Sequence, residues 1–149
     1  PAFPENQLVG VFNLELARLY GYLYQDTKKN FTILHSIDGY DEISLTGNTK
    51  AIRNNSERML TAEDFGVHTI KQEDIYGGDT IESSAAIFKK VISGKGTEAQ
   101  NNVVCANAGM AIATVKNLEP KAGFELAKEA LLSGKGLERL NKLIALSSK

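Results

Sequence analysis

Cysteine is almost missing from this chain. Cys105 is the only one in 149 residues, so no disulfide can form within it. A lone thiol in an apolar, helix-like segment reads as a buried, inert group in a reducing compartment. No apolar run approaches the ~18 residues of a spanning helix, and no signal-peptide pattern is present. The expected setting is therefore cytoplasmic. Neither sign of charge dominates: 17 Lys and Arg against 18 Asp and Glu leave a net charge of −1. That balance indicates no broad basic face for nucleic acid or anionic lipid. The two histidines, His35 and His68, have no second His or Cys at ligand spacing and are expected in surface or satisfied-core roles. There is no initiator Met, and Pro1-Ala2-Phe3-Pro4 is a rigid, extended opening suited to the middle of a longer chain. The chain is expected to be a piece of something larger.

What is present describes one globular domain, with a hydrophobic share of 42% and a charged share of 23%. Gln7 to Phe12 is rich in β-branched and aromatic residues and predicts a strand. Asn13 can cap a helix over Leu14 to Gln25, where Leu16, Leu19, Tyr20, Leu23 and Tyr24 recur as one apolar stripe. The tyrosines read as helix–sheet packing. After the polar link 26–30, Phe31-Thr32-Ile33-Leu34 predicts a buried strand. Strand, helix and strand with short links form a βαβ unit, with parallel pairing and a right-handed crossover.

Further on, Thr49–Arg53 and Glu57–Thr61 alternate around Asn54-Asn55-Ser56 and predict a hairpin. Ala62 to Phe65 predicts one helical turn stopped by Gly66. Val67 to Lys71 alternates briefly. Asp79-Thr80-Ile81-Glu82 has a capping-box pattern, with Asp79 as the cap, and opens a helix to about Ser93. Thr97 and Gln100 repeat the device before a helix through Val103, Val104, Ala108, Met110, Ala111 and Val115, apolar on most faces and expected to be central. Pro120 opens another helix and Gly134 ends it. A last amphipathic helix carries Leu137, Leu140, Leu143, Ile144 and Leu146. The echo of Ile92-Ser93-Gly94-Lys95-Gly96 in Leu132-Ser133-Gly134-Lys135-Gly136 lacks phosphate-loop spacing and reads as two helix C-caps. Gly77-Gly78 could receive an anion, but Asp79 beside it argues against that. The fold class is α/β: a largely parallel sheet flanked by helices, with a C-terminal run of helices.

The stretch from His35 to Gly47 carries the chemistry. Asp38-Gly39 marks a sharp turn, and Asp38, Asp41 and Glu42 gather where the second strand ends. In open α/β sheets ligands collect at that end. Oxygen ligands suit Mg²⁺, which takes one or two carboxylates plus substrate phosphates. Two carboxylates about 5 Å apart repel by roughly 1 kcal/mol in water and about 3 kcal/mol at an effective dielectric near 20. A solvated acidic turn tolerates the first figure, whereas a cleft needs a cation to offset the second. Both readings stand on charge alone.

Gln7-Leu8-Val9-Gly10-Val11, Asp38-Gly39-Tyr40-Asp41-Glu42-Ile43-Ser44, Glu63-Asp64-Phe65-Gly66 and Gly77-Gly78-Asp79 resemble successive landmarks of anthranilate phosphoribosyltransferase, in that family's order and spacing. Asn107-Ala108 and the helix ended by Gly134 are similar to its C-terminus. The resemblance implies a fragment of a nucleoside phosphorylase/phosphoribosyltransferase-like fold, with residues 1–149 as the C-terminal portion of the catalytic α/β domain. It implies transfer of the 5-phosphoribosyl group of phosphoribosyl pyrophosphate (PRPP) to anthranilate, releasing pyrophosphate, in tryptophan biosynthesis. Asp41 and Glu42 would hold Mg²⁺, Glu42 serving both ions, and Asp38 would be a turn-former. No side chain is placed as a nucleophile or strong base.

The family's glycine-rich pyrophosphate loop, its Lys-His-Gly segment, its anthranilate-binding arginine and its dimer-forming helical domain would all lie upstream of Pro1. The chain alone is accordingly expected to be inactive. Phe3, Ser36 and Ser83 stand where the family often has Arg, Gly and Asn. A nucleoside phosphorylase fragment and a non-catalytic nucleic-acid-binding relative are the alternatives. The acidic pair speaks against both, and the near-zero net charge also speaks against the second.

Overall fold

The apolar run at Phe31 lies in β2 (Asn30–Ser36), buried from Phe31 to Ser36. The computed structural model describes residues 4–54 and 56–147. The Pro1-Ala2-Phe3 opening and Asn55 of the hairpin turn lie outside the described residues. Four strands form one sheet in the order β1 (Asn6–Gly10), β2, β3 (Thr49–Arg53) and β4 (Ser56–Leu60). β1 pairs with β2 in parallel, and α1 (Leu14–Gln25) is the crossover, as a βαβ unit requires. β2–β3 and β3–β4 are antiparallel, with Ile33 opposite Ile52 and Lys50 opposite Met59. The sheet is thus mixed, and among the described residues parallel pairing is confined to β1–β2. The loop 37–48 contains no helix to carry the chain back along the sheet, so β3 returns antiparallel, and the expected hairpin follows.

Side chains of β2 divide between two layers. Phe31 and Ile33 pack with Val11, Ala17 and the partly buried Leu16, Tyr20 and Tyr24 of the α1 side. Thr32 and Leu34 face the other way, against α3 (Glu98–Lys116). Burial on both faces explains why the strand is apolar almost throughout. Asn13 caps α1, its Oδ1 accepting from the Leu16 amide at 2.7 Å. Leu19 and Leu23, expected in the inward stripe, are exposed. Leu16, Tyr20 and Tyr24 form one ridge four residues apart with Ala17 beside it, and Leu19 and Leu23 fall on the ridge's far side.

α3 is tied to the sheet by polar bonds as well as packing. The Thr114 hydroxyl donates to the Met110 carbonyl at 2.8 Å. Thr32 is therefore the donor in the buried 2.6 Å bond between Thr32 Oγ1 and Thr114 Oγ1. Arg53 reaches from β3 to the Ala113 and Leu118 carbonyls, both at 3.0 Å, and satisfies acceptors at the helix end. Cys105, Ala106, Gly109, Met110, Ala113 and Thr114 are buried, whereas Val104, Ala108 and Val115 are exposed. The helix is central along one face, not most faces.

α2 (Ile81–Ile92) is capped one residue later than expected. Thr80 and Ser83 exchange the two capping-box bonds, at 3.1 and 3.0 Å. Asp79 instead accepts from the Tyr76 hydroxyl, which holds that tyrosine above its ordinary pKa. Gly94 and Gly134 take left-handed backbone, φ 73° and 77°, just past α2 and α4 (Pro120–Leu132). The echoing segments are helix stops, and α5 (Lys135–Ser147) follows the second. Ala62–Phe65 forms one 3-10 turn ended at Gly66; Val67 to Lys71 is an irregular link, and a further 3-10 turn covers Gln72–Ile75.

α4 meets α3 backbone to backbone. A Cβ on Gly123 would lie 2.2 Å from the Gly109 carbonyl oxygen, and one on Gly109 would lie 2.6 Å from Phe124 Cα. Neither neighbour can yield without moving a helix. Gly123→Ala is expected to destabilise the chain by about 2 kcal/mol, read as a lower urea midpoint. Gly77→Ala, which meets nothing within 4 Å, should stay within about 0.5 kcal/mol.

Candidate functional site

Where β2 ends, the chain enters the loop 37–48, closed at its base by the Ile37 amide donating to the Asn48 carbonyl at 2.9 Å. Asp38 turns inward on the loop itself. Its Oδ2 accepts from Ser44 Oγ at 2.9 Å and from the Thr46 hydroxyl. It is a turn-former, as the resemblance implies. Asp41 and Glu42 behave differently. Both are exposed, and together with Leu8, Gly10, Leu34 and Asn107 they line a cleft of about 290 Å³. Among the described residues no ion pair involves either carboxylate.

Their backbone, by contrast, is tightly held. Ser36 Oγ donates to the Glu42 carbonyl at 2.5 Å and lies 2.7 Å from Thr49 Oγ1. Asn107 of α3 takes both backbone groups of the next residue: its Oδ1 accepts from the Ile43 amide at 3.0 Å and its Nδ2 donates to the Ile43 carbonyl at 2.8 Å. β1 presses from the third side. A Cβ on Gly10 would come within 1.8 Å of the Asp41 carbonyl oxygen, so only glycine permits the approach. Leu45, buried at the loop's far end, sits at φ 60°, at a cost of roughly 1 kcal/mol. Surrounding bonds hold it there, including the Ile70 amide on the Leu45 carbonyl at 3.1 Å.

The remaining candidates fall outside this constellation. His35 is buried and donates from Nδ1 to the Val11 carbonyl at 2.9 Å, a satisfied core histidine. His68 is exposed and lines a larger cleft, about 930 Å³, with Tyr76, Gln100 and Lys128; Asp41 and Glu42 line no part of it. Cys105 is 2% exposed, and burial pushes its thiol up, with Lys128 opposing and Glu125 adding to the shift. A thiol held protonated is a poor nucleophile. Ser83 belongs to the α2 cap.

Ser36 and Asn107 were not legible as site residues. Ser36 registered as a departure from the family and Asn107 as a family landmark, and neither carried a signal of what it would bond. Among the described residues no three His, Cys, Asp or Glu side chains come together as a metal cage. Two oxygen-donor groups open to a cleft suit a cation that takes its other ligands from water and a bound phosphate.

The family model described as glycosyl transferase family, a/b domain, matches residues 1–137. The chain is 74% identical over 147 residues to an anthranilate phosphoribosyltransferase of Flavobacterium psychrophilum and 68% identical over 147 residues to that of Flavobacterium johnsoniae. In both cases the match covers 99% of this chain and 44% of the relative, so the chain spans less than half of their length. Among solved structures, the anthranilate phosphoribosyltransferase of Saccharomyces cerevisiae in complex with PRPP and Mg superposes with a TM-score of 0.82 at 23% identity, over 97% of this chain and 42% of that one. At that identity the likeness speaks for the fold.

The contact between Gly10 and Asp41 makes a direct test. Gly10→Ala is expected to push the acidic loop off its bonds, at a cost of about 1–3 kcal/mol. Hydrogen exchange should show the Ile43 amide losing protection while the Ile33 amide in β2 keeps its own.

Proposed function

This chain belongs to the glycosyl transferase family through its a/b domain, and from that footing we propose that it is the C-terminal portion of the catalytic α/β domain of an anthranilate phosphoribosyltransferase. The whole protein would transfer the 5-phosphoribosyl group of PRPP to the amine of anthranilate and release pyrophosphate, a step of tryptophan biosynthesis. The names of the relatives support the reading. The observation that carries it is the acidic pair on the cleft wall, where Asp41 and Glu42 lie beside Gly10 and Asn107 with no cation of the described chain against them.

Asp41 and Glu42 are proposed to hold Mg²⁺, consistent with the PRPP and Mg bound in the yeast neighbour. When bound, Mg²⁺ supplies neutralisation of the charge that gathers on the departing pyrophosphate, a contribution of several kcal/mol. The chain's own part is placement. Asp41 and Glu42 offer acceptor oxygens at the mouth of β2, and the bonded loop fixes the backbone from which they project. No other group in the cleft is suited to act as nucleophile or base, so rate acceleration would rest on positioning and charge.

The helical domain through which the whole protein would pair as a homodimer, and the glycine-rich loop for the pyrophosphate, are assigned to the part of the relatives that this chain does not match. A cytoplasmic setting is proposed with it; no helix among the described residues is long and apolar enough to cross a membrane.

The 149-residue chain, assayed alone with PRPP, anthranilate and Mg²⁺, is expected to release no pyrophosphate above background; turnover typical of a complete enzyme would refute the division of labour. In the complete polypeptide, Asp41→Ala with Glu42→Ala should lower kcat/KM by at least about 100-fold and flatten its dependence on Mg²⁺. Unchanged kinetics would remove the pair from the site.

A further inference from the structure

We propose that Asn107 is the positioning residue of the acidic pair: it acts through the Ile43 backbone to set where Asp41 and Glu42 can place a divalent cation against a diphosphate. The inference rests on the metal role proposed above and adds a residue that touches neither metal nor substrate in it.

The amide is used almost to capacity. Nδ2 donates to the Ile43 carbonyl at 2.8 Å and to the Val103 carbonyl at 3.0 Å, while Oδ1 accepts from the Ile43 amide at 3.0 Å. Two carbonyls on one side and an N–H on the other leave one possible orientation of the group. Flipped, it would set oxygen against both carbonyls and nitrogen against the amide. With Val103 one turn earlier on α3 as a third support, the side chain cannot swing. It reproduces for Ile43 the pair of bonds a neighbouring strand would make, at a position where the chain has left the sheet.

That bond pair sits one residue beyond Glu42, and Ser36 Oγ holds the Glu42 carbonyl itself at 2.5 Å. The peptide linking Glu42 to Ile43 is thus fixed at both ends, from β2 and from α3. The Glu42 side chain leaves a stretch of the loop whose backbone is bonded to two different elements. Asn107 also lines the same cleft as the two carboxylates, so the helix supplies wall and clamp together. Asparagine is required: aspartate keeps the acceptor for the Ile43 amide but turns lone pairs on two carbonyls, and alanine removes all three bonds.

The test compares Asn107→Asp, Asn107→Ala, Asp41→Ala with Glu42→Ala, and Leu131→Ala in the complete polypeptide. Leu131→Ala opens a cavity in the last turn of α4, where the Leu131 carbonyl lies beside Gly94 past α2, and serves as a matched loss of stability. Calorimetry reads Mn²⁺ affinity in the presence of pyrophosphate, and thermal melting reads stability. The expected result is a fall of about tenfold in Mn²⁺ affinity for both Asn107 variants, the size of effect seen when groups that orient metal ligands are removed. Leu131→Ala should lower the melting temperature comparably and leave Mn²⁺ affinity at the unsubstituted value. If the carboxylate double variant weakens Mn²⁺ but the Asn107 variants do not, the positioning role is overturned and the metal reading survives. If Asn107→Asp and Leu131→Ala weaken it equally, Asn107 is merely structural and the role is again overturned. If the double variant leaves Mn²⁺ affinity unchanged, the metal reading fails and takes this one with it.

Discussion

A buried hydrogen bond, from the Thr32 hydroxyl on β2 to the Thr114 hydroxyl on α3, ties the central helix to the sheet. Seven residues earlier, two turns along the same stripe, Asn107 is bonded to Ile43 in the loop that β2 feeds. Strand and helix are therefore pinned twice, once inside the sheet and once beyond its end. Arg53 adds a third tie at the helix C-terminus. Such bonds contribute only about 1 kcal/mol each, but leaving a buried partner unmade costs about 1–3 kcal/mol, so a shifted register of helix on sheet is penalised at every tie. Between the pins, Gly109 lets α4 press against α3 backbone to backbone.

Much of this was legible in the sequence, and the boundary of legibility is instructive. Local chemistry gave good bounds: Asn13 before Leu14, Pro120 at a helix start, and glycines at 66, 94 and 134 just past three helical segments. Each is decided within a few residues of itself. Thr80 rather than Asp79 caps α2 because Tyr76 claims the aspartate, a competition the four-residue pattern does not contain. The mixed sheet was hidden for a similar reason. A βαβ unit announces its own parallel pair, but which way the chain re-enters after an irregular loop depends on what that loop can span. Leu19 and Leu23 show the limit of periodicity, since the helix is apolar over a wider arc than the sheet covers.

At the candidate site the divide runs between backbone and side chain. Acidic residues at a strand's mouth could be seen, and so could a turn at Asp38. What could not be seen is how differently the three carboxylates are used. Asp38 is consumed by two hydroxyls of its own loop, whereas Asp41 and Glu42 stay open to the cleft above a peptide backbone gripped by Ser36, Asn107 and the approach of Gly10. Long-range partners such as Asn107, 64 residues away from Ile43, leave no trace in spacing.

The closeness of Gly10 to Asp41 couples two parts of the molecule mechanically. Among the described residues β1 is the first strand of the sheet, and its last residue touches the carbonyl of the first proposed ligand with no slack for even a methyl group. The first strand and the acidic loop thus share one steric limit, and the position of either sets how near the other can come.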